Sequence, residues 1–133
     1  MKTYDKATVG KKGERVAARL LRRAGYRILA KNKRYGKNEL DLIVKNKDYI
    51  VFVEVKARSF LNEAPITRPA EAVDLEKRRR TAEAAKAYLA EHYTALCPRF
   101  DVVEVYLDRT RRLRVLRTNH IPDAFGASGR VRH

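Results

Sequence analysis

Acidic residues are scarce in this chain: 16 Asp and Glu stand against 31 Lys and Arg, so the 133 residues carry a net charge of +15. That balance says nothing about fold, but it favours polyanionic partners. Cysteine is nearly absent. The single Cys97 excludes an internal disulfide and suits a reducing cytoplasm. No run is long or apolar enough for a signal peptide or a membrane span. The three histidines, His92, His120 and His133, show no ligand spacing, so neither a zinc site nor a histidine base is expected. Internal repeats and long low-complexity segments are also missing. A chain of this length suits one domain with one core, placed at residues 1–125, with 126–133 as a disordered tail.

The positive charge is concentrated. Residues 1–37 hold 13 basic and 2 acidic residues, whereas 38–58 balance at four of each. The first third is therefore the electrostatic landing surface. A helix is predicted over residues 9–24, stopping at Gly25. Gly13, Ala17, Leu20, Leu21 and Ala24 fall on one side of it, and Arg15, Arg19, Arg22 and Arg23 on the other. Its apolar side lacks a large aromatic wedge, which argues against a membrane-surface helix. Glu14 sits at the edge of the apolar stripe, about 20° from Leu21 on the helical wheel, either turned inward or complementing the helix dipole. A short strand, Tyr26 to Ala30, leads to a basic loop, Lys31-Asn32-Lys33-Arg34-Tyr35-Gly36-Lys37. That loop is either a phosphate funnel or plain solvated surface.

The organising stretch is Asn38 to Arg58. Apolar residues alternate with carboxylates in Glu39-Leu40-Asp41-Leu42, and a β-branched and aromatic run, Tyr49 to Val55, follows a polar turn, as in a hairpin. With the turn centred on Asn46-Lys47, Ile43 faces Ile50, Asp41 faces Phe52, and Glu39 faces Glu54. Glu39, Asp41, Glu54 and Lys56 then converge on one face, roughly 5 to 8 Å apart. Singly, each would be a solvated strand residue. Glu54, however, lies inside an apolar run, and clustered carboxylates repel unless a cation, a proton or a lysine sits among them. A hard divalent ion fits best. Magnesium takes one or two carboxylates and leaves its other positions to water and phosphate, which makes phosphodiester cleavage the natural chemistry.

Asp41 followed by Glu54-Val55-Lys56 resembles the PD-(D/E)xK nuclease superfamily. More narrowly, Asn38-Glu39-Leu40-Asp41-Leu42-Ile43 and Phe52-Val53-Glu54-Val55-Lys56-Ala57-Arg58 resemble the YraN-type family of small resolvase-like proteins, over nearly the whole chain. Asn38 stands where that family usually carries Gly, a mild departure because Asn tolerates positive φ. The resemblance implies a three-layer α/β/α restriction-endonuclease-like fold with a mixed sheet, and a Mg2+- or Mn2+-dependent endonuclease. Asp41 and Glu54 would hold the ion, helped by the Val55 carbonyl and by Glu14 directly or through water. Lys56 would orient or deprotonate the attacking water, and Glu39 would be a further ligand or an orienter of Lys56. DNA, branched or structured, is the implied substrate ahead of RNA, no membrane is involved, and junction resolution would need a homodimer. Phosphate contacts are expected from Arg15, Arg19, Lys31, Lys33, Arg34, Lys37, Arg58 and Lys77.

The remainder completes the layers. Ser59 to Pro69 lacks a period and reads as a loop, Pro69 opens a helix running to about Tyr93, and Ala84, Ala85, Tyr88 and Leu89 form its packing side with Thr81, Lys77 and Val73. Lys77 begins the run Lys77-Arg78-Arg79-Arg80, part of which must be solvated. Cys97-Pro98 breaks the chain before a buried strand, Phe100 to Leu107, and an edge strand follows at Arg111 to Arg117. Two other readings stay open: a binding module that kept the fold without cutting, and a subunit whose basic face docks on an acidic protein.

Overall fold

The computed structural model describes residues 4–61 and 75–127. Helix α1 (Lys6–Arg23) precedes strands β1 (Arg27–Tyr35), β2 (Asn38–Lys45) and β3 (Tyr49–Phe60); helix α2 (Leu75–Glu91) precedes β4 (Cys97–Asp108) and β5 (Arg114–Phe125). The strands form one sheet in the order β1-β2-β3-β4-β5, with β3 and β4 parallel and every other pair antiparallel. Only that parallel junction needs a crossover, and α2 supplies it.

Burial on both faces explains the apolar strands. Leu42, Val44, Val51, Val53, Val103 and Val105 pack with Ala17, Ala18 and Leu21 of α1, whereas Ile43, Ile50, Phe52, Phe100, Val102 and Phe125 pack with Ala82, Ala85 and Tyr88 of α2. Two helices on opposite faces of a mixed sheet make the expected α/β/α layers. Among the described residues no helix is long and apolar enough to cross a membrane.

Helix α1 starts three residues before its predicted beginning, because the Asp5 carboxylate caps it by accepting from the Thr8 amide at 2.8 Å. It docks very closely on β3. A Cβ at the buried Gly13 would lie 2.5 Å from the Cβ of Ala57, a strand atom with no rotamer to change. Gly13→Ala is therefore expected to lower stability by about 1 to 2 kcal/mol, overpacking outweighing the gain in helix propensity. Chemical denaturation of the variant beside the intact chain checks this loss.

Several boundaries differ from expectation. The stretch Lys31 to Tyr35 is not a loop but the second half of β1; only Gly36-Lys37 turns, with Gly36 at φ +62. An edge strand tolerates this many charges because one side faces water. The β2–β3 turn is longer than expected. Asn46 Oδ1 accepts from the amides of Asp48 and Tyr49, so Lys45 pairs with Ile50 and Ile43 with Phe52. This moves the register by two residues and removes Glu39 from its expected place opposite Glu54. Cys97-Pro98 begins β4 rather than breaking the chain, and β5 runs on to Phe125. The expected loop and helix start fall largely on residues 62–74, and most of the expected tail on 128–133, outside the described residues.

Candidate active site

The β2–β3 ladder ends at Leu42 and Val53, while β3 continues to Phe60 against β4 alone. The strands splay at the next step. There the Val55 amide donates to Asp41 Oδ2 at 2.9 Å, a side-chain carboxylate standing in for a ladder carbonyl. The corrected register makes Asp41 and Glu54 the next residues along from the last pair, level with one another. Into the splay opens a cleft of about 910 Å³, lined by Glu14 and Gly10 of α1, Asp41, Glu54, Lys56 and Arg58 of the sheet, and Lys77 and Arg78 of α2.

Glu54 is 4% exposed. Its Oε1 lies 3.1 Å from Lys77 Nζ, and its Oε2 is buried with no hydrogen-bond partner among the described residues. Burial pushes the Asp41 carboxyl up to about 6; the nearby Glu14 and Glu54 carboxylates add to the rise, and the Val55 amide and Lys77 oppose it. An orphaned carboxylate oxygen beside a second carboxyl that resists ionisation is a pair that a cation would relieve. Among the described residues no three Asp, Glu, His or Cys side chains come together to enclose a metal ion. The orphaned Glu54 oxygen beside Asp41 fits magnesium, which accepts two carboxylates and keeps water and phosphate in its remaining positions. The pair does not fit a closed structural site.

Lys56, two residues beyond Glu54, is half-buried and lines the cleft. Its neighbour in register on β4 is Glu104, 3% exposed, whose Oε1 accepts from Asn119 Nδ2 at 2.9 Å. Glu39 turns the other way, to Arg34 at 3.1 Å, and lines a smaller adjoining cleft with Asp41, Lys37 and Lys77. The structure thus brings together Glu14, Asp41, Glu54, Lys56, Arg58 and Lys77. Lys37 sits in the smaller cleft. Arg15 and Arg19 on α1 and Lys31 and Lys33 on β1 line neither.

Among the residues of the main cleft that escaped sequence reasoning are Tyr4, Lys6, Arg78 and Arg109. Arg78 was expected among solvated arginines. Instead it is 5% exposed, lying over the Phe125 ring at 5.3 Å, and its spacing to Thr81, Ala82 and Ala85 is the i, i+3, i+4, i+7 signal of a buried stripe. Arg109 arrives from the turn after β4, distant in sequence, where nothing local announces it.

Residues 13–105 match a family described as Uncharacterised protein family UPF0102. The matched stretch takes in Glu14, Asp41, Glu54, Lys56 and Lys77. A UPF0102 protein of Caldanaerobacter subterraneus subsp. tengcongensis is 43% identical over 126 residues, which cover 94% of this chain and 100% of that protein. One from Chloroherpeton thalassium is 43% identical over 104 residues, 77% of this chain and 78% of its own. One from Syntrophotalea carbinolica is 40% identical over 128 residues, 96% and 98% of the two chains.

Proposed function

Because the chain belongs to the UPF0102 family, whose name specifies no reaction, we propose its activity from the site itself: a metal-dependent endonuclease that cuts DNA, branched or structured in preference to linear. The observation that carries this reading is the buried, unpartnered Oε2 of Glu54 beside Asp41 in a cleft rimmed by cations. Asp41 and Glu54 would hold Mg2+ or Mn2+, with Glu14 reaching it through water. When bound, such an ion polarises the scissile phosphate and makes water a better nucleophile.

The chain's own residues do the rest. Lys56, on the face of β3 that carries Glu54, orients the attacking water, takes up or shares its proton, and offsets the charge that grows on the phosphorus oxygens. Glu104, beside Lys56 in register, takes the orienting place first expected of Glu39. Lys6, Arg58 and Arg109 on the cleft wall bind flanking phosphates, whose counterions they release. Lys77 holds one oxygen of Glu54, which restrains the rotamer while the other oxygen stays buried without a hydrogen-bond partner among the described residues. Resolution of a four-way junction would call for two such sites, hence a homodimer, working in the reducing cytoplasm that the lone cysteine suits.

The test is cleavage of labelled linear, flapped and four-way DNA, with RNA counterparts, by the purified chain under magnesium or manganese titration. Metal-dependent cutting, faster on the branched DNA than on the linear, is expected. Salt-sensitive binding without cutting at any metal concentration would replace the enzyme by a binding module.

A further inference from the structure

The smaller cleft, about 370 Å³, meets the larger one at Asp41 and Lys77, which line both. Two cations close its far end. Lys37 is held there by the tight β1–β2 turn behind Gly36, and Arg80 projects from α2 one turn beyond Lys77. Both are exposed, and neither has an ion-pair partner among the described residues. Glu39, the carboxylate that would neutralise them, is instead paired with Arg34 at 3.1 Å. With Glu39 so engaged and Asp41 accepting from the Val55 amide, the three cations of the wall, Lys37, Lys77 and Arg80, outnumber its two carboxylates. Across Asp41, the larger cleft carries its own cations at Lys6, Arg58 and Arg109. Positive charge thus flanks the carboxylate pair in both clefts.

We propose that the smaller cleft is a second phosphate-binding subsite, in which Lys37 and Arg80 grip the sugar–phosphate backbone beyond Asp41, so that one substrate strand runs through both clefts and is cut between them. The ligand is a phosphodiester backbone, recognised by charge without reading bases. The inference deepens the nuclease reading and rests on it for the position of the cut, while the binding claim can be tested apart from catalysis.

The experiment measures binding of a fluorescent duplex to the full chain with calcium in place of magnesium, across a salt series. It compares the intact chain with Lys37→Ala/Arg80→Ala and with Lys47→Ala/Lys86→Ala, which removes the same charge from exposed positions lining neither cleft. Each phosphate contact contributes about 0.9 to the slope of log affinity against log salt, so the subsite variant should be shallower by about 1.8. The comparison variant should keep the slope of the intact chain. Equal slopes in the two variants would overturn the subsite, as would capture of an acidic peptide with no DNA binding. An intact chain that binds with the expected slopes yet never cuts with magnesium would remove the nuclease and leave the subsite standing. All substituted side chains are exposed, and melting curves confirm that each variant is folded.

Discussion

Glu54→Gln is expected to abolish metal-dependent cleavage, by about a thousandfold or more, and to leave the melting temperature no lower than that of the intact chain. The first half follows from the several kcal/mol of charge stabilisation that a Lewis-acid metal contributes, which the amide cannot help to anchor. The second half follows from burial. Glu54 is 4% exposed and satisfied on one oxygen only. Enclosing such a charge costs several kcal/mol even after relaxation, and an unsatisfied amide of the same shape costs less, about 1 to 3 kcal/mol. Lys77 gives up its contact with the Glu54 charge, but its side chain is 53% exposed, so at most about 1 kcal/mol is forgone. Magnesium should raise the melting temperature of the intact chain, by the equivalent of about 1.4 kcal/mol at ten times its dissociation constant, and should leave the variant unmoved. Single-turnover cleavage and metal-titrated melting together check this. Full activity in the variant would take Glu54 out of the site and the nuclease reading with it.

Asp101→Ala is expected to be strongly destabilising, at about 3 to 5 kcal/mol. Asp101 is completely buried. Its Oδ1 accepts from Arg99 Nε at 2.8 Å and from the Asp123 amide at 2.9 Å; its Oδ2 accepts from Arg99 Nη2 at 2.8 Å and contacts His120 Nε2 at 2.7 Å. Arg99 lies over the rings of Tyr49 and Tyr26 and donates to the Tyr26 hydroxyl. One carboxylate thereby ties β4 to β5 and to the start of β1. Without it a largely buried guanidinium keeps its charge and loses its counter-charge, and a domain whose whole stability is about 5 to 15 kcal/mol loses a large part of it. Urea denaturation should show a lower midpoint at unchanged slope. A loss below about 1 kcal/mol would mean that Arg99 reaches water unaided.

The same carboxylate carries a pH dependence. Burial alone would raise its pKa, but the hydrogen bonds from His120, Arg99 and the Asp123 amide outweigh burial, and it lies below the ordinary value of 3.8. A depressed acid binds its proton less readily folded than unfolded. Its contribution is therefore complete above about pH 5 and disappears as the pH falls through the folded value. The difference in unfolding free energy between the intact chain and Asp101→Asn should shrink over that acid range and stay constant above it.

The hairpin that carries the carboxylates was legible because two-faced burial writes itself as apolar alternation and β-branched runs, and Glu54 stood out as a charge inside one. Asp101 sends the same local signal inside Phe100 to Leu107, yet its meaning depends on Arg99, Tyr26 and His120, which no short window contains. The register escaped because Asn46 spends its side chain on two amides, lengthening the loop by two residues, a choice between turns of similar energy. Lys31 to Tyr35 read as a loop because charge on an edge strand and charge on a loop look alike. The three layers were legible from stripes and runs, whereas Glu104 beside Lys56 needed the parallel register.

That parallel register also sets the order in which the molecule can be built. β3 matches β4 position for position, from Tyr49 with Cys97 to Phe60 with Asp108, so every pair joins residues roughly fifty apart in the chain. β1, β2 and β3 are a meander with short turns, able to pair as soon as they leave the ribosome. At about 5 to 20 residues per second, β3 waits for several seconds with one apolar edge bare before β4 exists. Asp41 and Glu54 are brought level by the early, local event, and the strand that shelters them arrives only after the chain has closed its largest loop. Nascent chains of this protein therefore pass through a stage in which Asp41 and Glu54 are already level and the sheet is still open to any strand that comes by.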